Sequence, residues 1–155
     1  MKNVIRILFN ISLLLCVCTV NAQVNTFKAY KEADGLITKN SNGLYVWSSW
    51  APSQTTIVLD LNKKFITVTD ESKKKENTKF EIFEKPQQWT MKKDYKFVKY
   101  ECMNSLTLQK FYVMLSRYDS GALKITIMSP SDATRYFVRV DNGDEDDNLT
   151  YDDAE

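Results

Sequence analysis

Histidine is missing from all 155 residues. Without imidazole there is no Ser-His-Asp or Cys-His catalysis, and the common zinc sites lose their usual ligand. Cysteine is almost as scarce: of three, Cys16 and Cys18 fall in an apolar N-terminal segment, which leaves Cys102 alone in the remainder. A single thiol closes no internal disulfide and holds no thiolate-only zinc, so the fold has to rest on its core. Such a lone cysteine is expected as a small buried apolar residue. The four glycines and three prolines form no Gly-rich phosphate loop, P-loop or dinucleotide fingerprint. No apolar run reaches the roughly 20 residues of a membrane-spanning helix. Carboxylates are plentiful, but nothing in the spacing of Glu81, Glu84, Asp94 and Glu101 sets two of them across a cleft, as glycoside hydrolysis requires. Glu81 and Glu84 even fall on opposite faces of one strand. These absences point to a chain that is not an enzyme, with no cofactor and no metal.

What is present is sorted along the chain. In MKNVIRILFNISLLLCVCTVNAQ, Lys2 and Arg6 precede an apolar run over 11–20, and Val20-Asn21-Ala22 fits a small-residue cleavage site. Residues 1–22 are expected to be a signal peptide cleaved after Ala22, giving a secreted or periplasmic protein. Leu15 and Val17 stand where lipid attachment at Cys16 or Cys18 would need a small residue. At the other end, DNGDEDDNLTYDDAE over 141–155 carries eight carboxylates, Asp144, Glu145, Asp146 and Asp147 among them, and no basic residue. A disordered acidic tail is expected there. An EF-hand is excluded because Gly143 comes third in the run, where the calcium loop needs glycine sixth. The body over 23–140 holds 19 basic against 12 acidic side chains. Lys73, Lys74, Lys75, Lys92 and Lys93 are the natural counter-charges for the tail.

That body reads as one β-domain. In TTIVLDL, Ile57, Leu59 and Leu61 share a face; after Asn62 and Lys63, KFITVTD sets Ile66 and Val68 together, which marks a hairpin. Phe80 with Ile82, then Val98, Tyr100 and Cys102, then Phe111, Val113 and Leu115 repeat the two-residue period of a half-buried strand. A second hairpin turns at Asp119, Ser120 and Gly121 and continues with Leu123, Ile125 and Ile127. RYFVRV sets Tyr136, Val138 and Val140 inward. About eight or nine short strands without long crossovers imply antiparallel order. An all-β fold is expected, a single antiparallel meander barrel of the lipocalin-like kind, with a two-layer β-sandwich as the alternative. The G-x-W element of true lipocalins is absent, since Gly43 stands four residues before Trp47.

The exported start ending NAQ, the VWSSW strand, the TTIVLDLNKKFITVTD hairpin, the KYEC strand and the closing ITIMSPSDATRYFVRV together resemble small exported β-proteins of Bacteroidetes over most of residues 23–140. The resemblance implies export and a β fold, and no activity. Many of that group carry a further cysteine after the KYEC-like strand; the matching stretch here, around 106–110, has none, so no disulfide is implied.

The LYVWSSW stretch over 44–50 sets two tryptophans three residues apart, on opposite faces of any continuous strand. Tyr45 and Trp47 are expected in the core. Trp50, at a strand end before Pro52, is expected with Trp89 and Tyr95 on exposed loops, as contacts for a partner or ligand. Two functions follow: an exported non-enzymatic interaction domain that uses these loop aromatics on a protein partner, or a barrel that binds a small apolar or amphipathic ligand. The interleaved lysines and aromatics of KKDYKFVKY could stack bases, but export argues against nucleic acid. A filled interior belongs with the first function and a cavity with the second.

Overall fold

The two-residue alternation becomes strand along nearly the whole of the chain that the computed structural model describes, residues 24–38, 43–72, 76–84 and 88–141. The expected signal segment and the tail residues Asp144, Glu145, Asp146 and Asp147 lie outside the described residues. In chain order the strands are β1 (Val24–Ile37), β2 (Tyr45–Trp47), β3 (Ala51–Pro52), β4 (Thr55–Asp60), β5 (Phe65–Asp70), β6 (Glu76–Glu84), β7 (Thr90–Met91), β8 (Tyr95–Asn104), β9 (Lys110–Tyr118), β10 (Leu123–Met128) and β11 (Asp132–Val140).

β1, β4, β5, β6, β8, β9, β10 and β11 pair in that order, all antiparallel, and β11 returns to β1 from Phe27↔Val140 to Leu36↔Asp132. That seam closes the sheet into an eight-stranded meander barrel and excludes the sandwich. Two staves are broken. β2, β3 and β4 succeed one another down β1, opposite residues 35–37, 31–32 and 24–28, and β6 and β7 do the same along β8. Pro52 is tolerated because β3 pairs with β1 alone, so the missing N–H leaves no second ladder unsatisfied.

The predicted alternations fill the interior: Ile57 and Leu59, Ile66 and Val68, Phe80 and Ile82, Val98, Tyr100 and Cys102, Val113, Ile125 and Ile127 are all buried. Phe111, Leu115 and Leu123 pack at its margin. Val140 departs from the pattern. It ends β11 and is 42% exposed, whereas Tyr136 and Val138 are buried as expected.

β1 changes its inward face midway. The register slips between Ala29 and Lys31, so Tyr30 is an extra residue, and a bulge of this kind shifts every later side chain to the other side. Phe27 and Ala29 point inward before it. After it, Glu32, Asp34 and Leu36 stand opposite Tyr136, Thr134 and Asp132 and share their face. Ala33 and Gly35 turn outward opposite Arg135 and Ala133 and are nonetheless buried.

An outer layer covers them, and here the expected place of Tyr45 and Trp47 is corrected. Both are half-buried and lie outside the core cluster. β2 pairs with β1 beyond the end of β5, so its aromatics fold over the outside of the seam. Trp47 rests on Gly35 and on the Arg135 guanidinium, 4.4 Å from ring centroid to Cζ; Trp50 takes the same cation at 4.3 Å and meets Phe137 at 4.6 Å. Phe137 stacks on Tyr30 at 6.2 Å, and Arg139 sits over Tyr30 at 5.1 Å. The two tryptophans therefore act together after all, on a side chain of their own protein. The strand breaks at residues 48–50, where the Ser48 N–H bonds Asp34 O at 2.7 Å, and the break turns both indoles to one side. Gly35 is what lets Trp47 approach: an added Cβ would lie 2.9 Å from Trp47 Cε3. Gly35→Ala is expected to cost about 1–3 kcal/mol by overpacking. Urea unfolding should show this, with most of the loss absent when the substitution is made in a Trp47→Leu background.

Candidate functional site

At the end of the barrel where β1 finishes and β11 begins, the core stops short of the rim. A cavity of about 200 Å³ opens there. Val68, Phe80, Phe111 and Ile127 supply its apolar surface, with Phe80 and Phe111 edge to face at 5.1 Å. Thr78, Asn104, Asp132, Thr134 and Tyr136 supply its polar surface. A void of about 150 Å³ lined by apolar side chains holds benzene, so this one has room for a single ring with a short arm.

Carboxylates gather on the β1–β11 side of the mouth. Asp132 lines the cavity and accepts from Ser131 Oγ at 2.8 Å; Asp34 accepts from cavity-lining Thr134 Oγ1 at 3.0 Å; Glu32 accepts from Ser53 Oγ at 2.7 Å. Among the described residues none of the three forms an ion pair. Their field reaches the phenols nearby. Burial first, then Glu32 and Asp34, push the Tyr136 hydroxyl well above its ordinary value. Burial and then Asp132 push up Tyr45, whose hydroxyl donates to Ser129 O across the rim.

Asn104 ends β8 and organises the opposite rim. Its Oδ1 accepts from Leu106 N at 2.8 Å and Thr107 N at 3.0 Å, an Asx turn that fixes the β8–β9 loop. The residue is 9% exposed and its amide nitrogen donates to no described residue. The loop so held displays Leu106 and Leu108, 82% and 68% exposed, and Leu36, Leu44 and Val46 are also exposed at this end. An apolar-floored cup with an acidic wall and an apolar rim can hold a small amphipathic molecule by shape and by a few polar contacts.

The aromatics singled out from the sequence fall elsewhere. Trp50 is half-buried in the seam ladder. Trp89 is exposed and carries Lys96 5.4 Å from its ring, beside β7. Tyr95 packs against Phe97 and Tyr118 at 6.1 and 5.3 Å on the outside of β8. β7 and β8 lie across the ring from the β1–β11 seam, so Trp50 and Trp89 share no mouth. The residues that do converge, Asp34, Asn104, Asp132, Thr134 and Tyr136, were not singled out from the sequence. The one local signal was Asn104-Ser105 closing an alternating run, a turn-former at a strand end.

Among the described residues no group of three or more potential metal-binding side chains converges, and no helix is long and apolar enough to cross a membrane. Cys102 is fully buried and its thiol is pushed up to about 12, by burial first and then by Glu101, so it is no nucleophile at neutral pH. No protein-family model, curated protein or solved structure matches the chain.

Proposed function

We propose that this protein is a non-enzymatic barrel that binds a small amphipathic ligand in the cup between Phe80, Phe111 and Ile127, and that it does so outside the cytoplasm. The observation that carries the reading is the cavity itself, about 200 Å³ with an apolar floor and polar groups on its wall. The competing reading, a protein partner held by Trp50, Trp89 and Tyr95, has less support, because Trp50 is engaged with Arg135 and Phe137 and only Trp89 of the three is exposed.

A titration with 2-phenylethanol, followed by methyl NMR, tests it. Shifts should concentrate on Ile127 and Val68, with a dissociation constant on the order of 0.1–1 mM for a ligand this small. Thr78→Phe, which fills the cup from β6, should abolish them. Shifts spread over the outer surface, or undiminished in Thr78→Phe, would end the proposal.

A further inference from the structure

We infer that the cup selects a small organic cation: a protonated primary amine on a one- or two-carbon arm attached to a single aromatic or comparably sized apolar group. The inference rests on the ligand-binding reading above and adds the charge of the ligand to it.

Three features combine. The first is the uncompensated charge at the rim. Asp34 and Asp132 are exposed there, each accepting from one hydroxyl, and Glu32 lies just inside, accepting from the hydroxyls of Ser53 and Thr55. None has a cationic partner among the described residues, although the body as a whole carries more basic than acidic side chains. Lys96 and Arg117 stand opposite each other in register near the other end of β8 and β9, Lys96 over the Trp89 ring and Arg117 exposed. The carboxylates thus gather at the cavity end of the barrel, away from these two cations.

The second feature is the unused donor. Asn104 lines the cavity and commits its oxygen to the Asx turn, while its amide NH₂ donates to no described residue and stays open to solvent at the cavity. A hydroxyl or carbonyl oxygen on the ligand, opposite its ammonium, would satisfy it.

The third is the shape. Asp132 and Thr134 belong to β11, whereas Phe80 and Phe111 belong to β6 and β9, so the carboxylate wall faces the aromatic wall across the opening. A ring set against Phe80 and Phe111 would carry its arm toward Asp132. An ammonium there exchanges water for a carboxylate in a half-enclosed, lower-dielectric site, where the attraction is stronger than in bulk water. A carboxylate arm in the same place would meet like charge.

The test compares three probes of nearly equal size on the full chain by NMR and calorimetry: 2-phenylethylamine, 2-phenylethanol and 3-phenylpropionate. The amine should bind about tenfold tighter than the alcohol, with a preference that weakens in high salt, and the carboxylate should bind worst. Asp132→Asn should bring amine and alcohol together while leaving alcohol binding in place. Asp34→Asn provides a second variant should the first disturb the turn at Ser129. Equal binding of amine and alcohol in the natural protein, or tighter binding of the carboxylate, would overturn the cation inference and leave the ligand-binding reading standing. Absence of cavity shifts with all three probes would remove both.

Discussion

Replacing Arg135 with alanine is expected to lower stability by about 2–3 kcal/mol, although the side chain makes no ion pair among the described residues and lies on the outside of the barrel. Its guanidinium lies against Trp47 and Trp50, 4.4 and 4.3 Å from their ring centroids, and its Nε is buried without an acceptor. Burial holds its pKa below the ordinary arginine value, so desolvation acts against the charge and the two indole faces act for it. A desolvated cation–π contact contributes up to about 2 kcal/mol, and the aliphatic stem rises from β11 opposite Ala33 of β1. The consequence is topological. Trp47 belongs to β2 and Trp50 to the link before β3, while Arg135 belongs to β11, so one side chain ties the broken second stave to the last strand across β1.

Urea unfolding by tryptophan fluorescence gives the measurement, with the midpoint shifted and the slope kept. Arg135→Lys should recover less than half of the loss, because an ammonium cannot lie flat against two rings. A double-mutant cycle of Arg135→Ala with Trp50→Leu should return a coupling of about 1 kcal/mol or more. A loss below about 0.5 kcal/mol, the level of ordinary surface substitutions, would mean that the seam ladder is decoration on a barrel closed by its backbone alone.

The strands were legible because their cause is local. Ile57 and Leu59 or Ile125 and Ile127 need only a two-residue period and a nearby turn to be placed, and the short turns leave no other pairing order than the meander. Closure was legible only as a choice, since a sandwich satisfies the same alternations and the deciding contact joins Phe27 to Val140. The tryptophan pair was misplaced for a physical reason. A continuous strand puts residues 47 and 50 on opposite sides, and the break at 48–50 depends on Ser48 meeting Asp34, which no local period encodes. A hint did exist on the other partner: Arg135, Phe137 and Arg139 alternate along the outward face of RYFVRV, and a strand that presents cations beside an aromatic ring to the outside invites aromatic cover.

The cup was hidden more deeply. Glu32 and Asp34 sit in KEADGL, where a sequence reader assigns charges to solvent; one inserted residue, Tyr30, turns both inward. The void itself is a difference between the volume enclosed by eight staves and the volume of the side chains that fill them. Alternation gives the list of fillers and not the remainder, and the remainder here is about 200 Å³ at one end.

Alkaline pH is expected to unfold this barrel through groups that the core keeps neutral. Cys102 is fully buried and burial, with Glu101 second, raises its thiol from an ordinary 9.0 to about 12. Tyr100, its neighbour two residues along the same inward face, is raised by burial and then by Cys102; Tyr136 is raised by burial and then by Glu32 and Asp34. In each case the folded value lies above the unfolded one, so the unfolded chain gives up its proton first. The stability that these groups contribute is complete below about pH 8.5 and is lost as pH climbs through the folded values, from about pH 9 toward 12 for the thiol. A shift of that size corresponds to roughly 4 kcal/mol for Cys102 at the upper limit. Between pH 9 and 10.5 the unfolding free energy of the natural protein should fall with a slope approaching about 1.4 kcal/mol per pH unit from this residue. Cys102→Ala should start lower, by the cost of a small cavity, and descend less steeply over that window, since the share of the loss due to the thiol is gone. Equal slopes in the two proteins would show that the thiol ionises as readily folded as unfolded, and with it would go the inference that burial in the interior of this barrel holds Cys102 as a neutral thiol.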